Sequence, residues 1–288
     1  MTSTPTITQS RFIDGTVWLA AAAWGRRPRL GPLRGGVGAG RFHHNEWTAL
    51  LGRFVHNGNV EYATMRRVRR LVEVYLQRLA GANPETFADT DDQLAFYLNA
   101  YNAIAIHQVL LHYPVPSIRA IPDAFTRPYP IGRRNVSLHT LHASILRTFA
   151  DPRIHAAIAT TARSSGGLQP QAFTGSTLQT DLDAALRRLL HDTVHGARFD
   201  ASTNTVYLSS IFRLLVGDFL QPHTMPGIAG LLVGWLHPRR IIPVLIPYLP
   251  PDLAIAMRQT QPRIRFLAYD WTLNDHTFNA ATVSSAIR

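Results

Sequence analysis

The chain has no cysteine. Disulfides, thiolate nucleophiles and cysteine metal sites are therefore excluded, and the redox compartment cannot be read from its thiols. It also has no lysine. All 29 basic residues are arginine, set against 18 acidic ones for a formal net charge of +11. One reading is compositional, a GC-rich genome substituting arginine for lysine; the other is a surface for phosphates or anionic lipid. The arginines are scattered rather than grouped in one sustained basic block, which favours the compositional reading. Nucleic acid is accordingly not expected as a partner, and a membrane surface is only a weak alternative. No run reaches the ~18 apolar residues that a membrane helix needs. Thr16 to Trp24, TVWLAAAAW, is short, and most of its charge (Arg26, Arg27, Arg29) comes after it. A signal peptide has the opposite order. The expectation is a packing segment or surface-lying helix, and a cytoplasmic protein. The glycine-rich stretch lacks P-loop and dinucleotide spacing, so no cofactor is expected.

The chain is 288 residues long, 46% hydrophobic and 16% charged, a globular composition with room for a sizeable core. Residues 1–40 are poorly patterned and end in GPLRGGVGAG, which reads as a flexible linker. The patterned domain spans 41–275, and 276–288 is a tail. Glu46 to Val55 predicts a short helix. Met65, Val68, Leu71, Val72, Tyr75, Leu76 and Leu79 then recur at helical spacing, with Arg66, Arg67, Arg69 and Arg70 mostly on other faces. Thr90-Asp91-Asp92-Gln93 has capping-box spacing and opens a helix to His112 that is apolar nearly all round, hence buried on most sides. Pro122 to Arg134 reads as loop. Ser137 caps a helix over 138–149, and Thr177 to His191 is amphipathic. Arg198 to Ser209 reads as a hairpin turning at Ser202-Thr203-Asn204. A helix after Ser209 or Ser210 reaches Phe219. Two proline-bounded apolar segments, 228–236 and 241–249, a helix near 253–258 and a strand over 264–269 follow. The fold class is α+β, helix-rich, with a small antiparallel sheet.

Several residues invite chemistry. Asn99 and Asn102 lie three apart on the most buried helix and share a face, suited to fixing a neighbouring loop or orienting a substrate or imidazole. His142 lies on the inward stripe of its helix, with His139 three residues earlier. A third ligand at fixed offset is missing, so no metal site is expected. His155 stands inside an apolar run. Ser164 and Ser165 precede Gly166-Gly167, and a serine there is a nucleophile only if a base activates it. The nucleophile-elbow spacing is absent. Asp218 and Asp270 each sit beside an aromatic at the end of an apolar element, which suits a carboxylate that caps or orients a neighbour.

These segments together resemble the DUF547 family, a domain of unknown function. The resemblance rests on VHNGNVEYA (55–63), FYLNAYN (96–102), SLHTLHASILR (137–147), DPRIH (151–155), VYLSSIF (206–212), Gly217-Asp218-Phe219 and YDWTLN (269–274), a tail often seen in bacterial members. It implies that Asn99, Tyr101, Asn102, Arg147, Arg153, His155 and Asp218 are retained scaffold residues. It also implies what is lost. Thr160 and Ser165 stand at the family's two cysteine positions. Ala143 stands at its histidine position, with His142 one residue earlier. By analogy with papain- or transglutaminase-like folds, typical members resemble thiol enzymes, and this chain lacks the nucleophile. A regular helix turns about 100° per residue, so His142 is not expected to take over the lost histidine's place. The first reading is a binding or scaffold module for a small molecule or protein. The alternative is a hydrolase or acyltransferase using Ser165 with His155 or His142. A weaker third is a basic module for nucleic acid or anionic membrane.

Overall fold

The computed structural model describes residues 40–220 and 237–276. The expected linker and N-terminal segment (apart from Gly40), the apolar segment 228–236 and nearly all of the tail lie outside the described residues. Gly40 already pairs with the chain at Thr86 and Ala88 through backbone bonds of 3.3 and 3.0 Å.

The organising element is α3, Thr90–His112. Its residues from Gln93 to Leu110 are all buried. Alanines at 95, 100, 103 and 105 let neighbours approach closely. By length and composition this helix could cross a membrane, yet 94% of its apolar window is buried inside the protein. It is a core helix. The N-cap is Asp89, one residue before the expected start; its carboxylate accepts from Asp92 N–H at 2.7 Å.

Around α3 pack α1 (Asn45–Phe54) and α2 (Arg69–Gly81). Trp47 of α1 stacks on Tyr75 of α2 at 5.3 Å. The expected continuous helix from Met65 is broken. A short turn of helix Tyr62–Met65 passes through a 3-10 turn, Arg66–Val68, before α2 begins. Val55–His56 (β1) and Asn59–Val60 (β2) form a minimal hairpin between α1 and that turn.

The stretch read as loop contains a second hairpin, β3 (Tyr129–Ile131) with β4 (Arg134–Val136). Its turn is Gly132-Arg133, both at positive φ. That is the two-residue geometry that follows strand twist, but Gly-Arg lacks the usual Asn-Gly signature. Ser137 caps the next helical run as expected, accepting from Thr140 N–H at 3.1 Å. That run is irregular: one α turn, a π-helical stretch Leu141–Ile145, then a 3-10 end, Leu146–Phe149.

A short helix, Ile154–Ala157, packs against α4 (Leu178–His191). The largest sheet runs β5-β6-β7: Ala197–Asp200, Thr205–Leu208 and Arg263–Phe266. The first pair is antiparallel and turns at 201–204 as expected, while β7 pairs parallel with β6, so the sheet is mixed. Two short helices, Ile211–Leu214 and Val216–Leu220, follow β6 where a single one was expected. Pro251–Gln259 forms α5. The fold is α+β and helix-rich.

The segment after β7 returns to the start of the domain. Asn274 accepts at its carbonyl from Val60 N–H (2.9 Å), and its side chain binds the Tyr62 hydroxyl (2.8 Å) and the Gly58 carbonyl (3.0 Å). Its own N–H donates to Thr161 at 2.9 Å.

Candidate functional site

Two asparagines of α3 hold the loops that build the site. The Asn99 side chain donates to the Phe173 carbonyl (2.8 Å) and accepts from Phe173 N–H (3.0 Å). Asn102 donates to the Ala157 carbonyl (3.1 Å) and accepts from Ala159 N–H (2.8 Å). Each amide thus satisfies both polar groups of a strand-like backbone segment that the core would otherwise leave unpaired. Asn102 thereby fixes the exit of the short helix that carries His155.

Gly166 fixes the other side of that helix. A Cβ there would lie 1.8 Å from the Ala156 carbonyl oxygen, so the backbones approach too closely for any side chain. Gly166 is thus a packing device against the His155 helix, while Gly167 lies against Gly58 of the first hairpin.

His155 is 3% exposed, and both its ring nitrogens are engaged. Nδ1 lies 3.0 Å from His142 Nε2, and Nε2 lies 2.8 Å from Asp218 Oδ2. The other carboxylate oxygen of Asp218 accepts from Arg147. The two imidazoles meet edge to face, 5.1 Å between centroids, with Tyr101 packed on His142 and Phe219 on His155. His142 reaches this cluster because the π-helical stretch at 141–145 changes the angular step along its helix. The regular 100° step therefore does not describe residues 141–145.

The protonation pattern follows from these contacts. Burial works to raise the Asp218 carboxyl, but the bonds and charges of His155 and Arg147 outweigh it and hold the pKa at about 2. The carboxylate is ionised and can only accept, so His155 Nε2–H donates to it. One proton lies between His155 Nδ1 and His142 Nε2, one ring donating and the other accepting. Burial, reinforced by His155 and Arg147, pushes the His142 pKa well below the ordinary histidine value. The three side chains form one chain of contacts, Asp218 to His155 to His142, with Arg147 on the far oxygen of the carboxylate.

Ser165 is not part of it. Its hydroxyl, 7% exposed, donates to the Ala162 carbonyl at 2.7 Å, and among the described residues it bonds to no imidazole. Thr160, at the other cysteine position, shares a 2.8 Å bond with the Tyr269 hydroxyl. Ser164 Oγ accepts from Asp270 N–H at 2.8 Å. Arg153 points elsewhere, to Asp151 (2.6 Å) and to Asp183 of α4 (2.7 Å). Of the sequence candidates, His142, His155, Asp218, Arg147 and Tyr101 come together, with Asn102 behind them. Asn99, Arg153 and Ser165 do not join the cluster. Tyr269 was not singled out; the only signal for it was its place in the YDWTLN tail. Among the described residues no group of three or more His, Asp and Glu converges to hold a metal ion.

No curated protein and no solved structure matches the chain. A family model does, over residues 85–190, a range that includes both asparagines, His142, Arg147, His155 and Ser165 and leaves Asp218 outside. Over residues 85–190 the chain is similar to the family described as "Protein of unknown function, DUF547", and the quoted motifs at 96–102, 137–147 and 151–155 lie inside that range.

Proposed function

We propose that the chain is a DUF547-type binding or scaffold module in which no covalent nucleophile operates, recognising a small molecule or a protein in the cytoplasm. The observation that carries this reading is the engagement of His155 on both ring nitrogens while the Ser165 hydroxyl is turned onto the Ala162 carbonyl. A serine hydroxyl needs a base within about 2.6–3.2 Å, held in turn by a third group. Here the base and its holder are in place, but the group on the base's other nitrogen is a second imidazole.

A fluorophosphonate probe tests this. The expected result is no stoichiometric labelling of wild type, and Ser165→Ala that folds with a stability change of about 1 kcal/mol, the net worth of one hydrogen bond. Stoichiometric labelling that disappears in Ser165→Ala would overturn it.

A second reading rests on the contacts that join His142, His155 and Asp218. Asp218 and His155 hold the buried His142 ring in one orientation, which is what a general base requires of its surroundings, and such a base would make the module a hydrolase without a covalent intermediate. Turnover of a simple ester panel that is lost in both His142→Ala and Asp218→Asn, yet kept in Ser165→Ala, would support this reading over the first.

A further inference from the structure

We propose that the outward face of α2, with the 3-10 turn before it, docks onto an anionic phospholipid surface. Arg66, Arg67, Arg69 and Arg70 fall within five consecutive residues. Glu73 is the only acid close to them, 2.9 Å from Arg69 and 3.8 Å from Arg70. Arg66 and Arg67 are exposed and have no ion-pair partner among the described residues. The Arg70 side chain is 85% exposed. No acid occupies the first turn of α2, where the helix dipole disfavours cations, and only Arg69 and Arg70 are offset by pairing with Glu73.

The same face carries exposed aliphatic surface. Leu71 is 53% exposed and Val74 44%. At 100° per residue, Arg70, Leu71, Val74 and Gln77 fall within about 120° of one another, opposite the buried stripe of Val72, Tyr75, Leu76 and Leu79. Charge and aliphatic exposure together select the occupant. A nucleic-acid backbone would be met by the arginines alone and would leave Leu71 and Val74 in water. A membrane interface takes both: guanidinium groups lie at the phosphates while the aliphatic side chains sink to the acyl boundary.

The test uses the full chain and vesicles of phosphatidylcholine, with and without phosphatidylglycerol, at physiological salt. Co-sedimentation with the phosphatidylglycerol vesicles is expected, with little on phosphatidylcholine alone. Arg66→Glu/Arg67→Glu/Arg70→Glu and Leu71→Ser/Val74→Ser should each weaken binding at least tenfold. A charge-matched control, Arg258→Glu/Arg263→Glu/Arg265→Glu, alters exposed arginines on α5 and β7 and should bind as wild type. All these positions are at the surface, and circular dichroism checks that each variant is folded. The proposal is overturned by absence of vesicle binding, by equal loss in the control, by an undiminished Leu71→Ser/Val74→Ser variant, or by tighter binding to duplex DNA than to vesicles.

Discussion

Asp218 is the residue on which the cluster's charge rests. Its folded pKa, about 2, lies below the ordinary aspartate value of 3.8. A depressed carboxylate stabilises the fold above its unfolded pKa, and that contribution is lost as pH falls towards the folded one. The shift corresponds to about 2 kcal/mol. Urea denaturation from pH 5 down to pH 2 should therefore show wild type losing about 2 kcal/mol more than Asp218→Asn. At pH 7 the variant should be the less stable protein, because the Arg147 charge is left without its counter-ion in a half-buried position. Parallel acid profiles would contradict the assignment of the low pKa to this site. Little of this was legible in the sequence. Asp218 could be seen to orient something, but the 63 residues between it and His155 hide what. His142 was legible as an inward residue, but its meeting with His155 was not, because a π-helical turn leaves no mark in the spacing of side chains.

At the scale of elements, legibility followed how local the cause is. Thirteen of the eighteen buried positions in α3 are apolar or aromatic and announce a core helix by themselves, and the two asparagines among the rest announce a polar duty. The β3–β4 hairpin went unseen because Pro128 and Pro130 argue against a strand and Gly-Arg is a weak turn signal. The Gly166 contact was invisible for another reason: small residues suggest a flexible loop or an approaching ligand, and here the approaching group is the protein's own Ala156 carbonyl. Gly166→Ala should push the His155 helix from its seat and cost at least about 2 kcal/mol, measured by urea denaturation. Asn102→Ala removes both bonds to 157 and 159 at once. It should cost about 2–4 kcal/mol, since a buried carbonyl and a buried N–H are left unpaired. If either variant unfolds at the wild-type midpoint, the asparagine clamp and the glycine seat do not hold His155 in place.

For the whole molecule, buried histidines add a second range of acid sensitivity above that of Asp218. His44 bonds the Tyr75 hydroxyl at 2.6 Å beneath Phe42 and Phe96, and burial, with Arg78 and His43 nearby, lowers its pKa from 6.5 to about 4. The unfolded chain binds a proton near pH 6.5 that the folded chain refuses until about pH 4. Stability from this group is present above pH 6.5 and falls by about 3 kcal/mol as pH drops to 4. His44→Gln should remove about 3 kcal/mol of the fall in that window, leaving the part due to the other buried histidines such as His142, and should leave the lower window, belonging to Asp218, unchanged. A variant whose acid profile matches wild type between pH 6.5 and 4 would place the sensitivity elsewhere.

The hydrogen bonds of Asn274 also govern when the molecule can be finished. Its side chain serves Tyr62 and Gly58 from 212 and 216 residues away. Until residue 274 has been synthesised and brought back, the Val60 N–H and the Tyr62 hydroxyl have no permanent partners. Loop closure over such a span is a slow, entropically costly step that local helix formation cannot hasten. A nascent chain therefore displays the β1–β2 region as an open seam, accessible to chaperones and proteases, until the segment around residue 274 seals it.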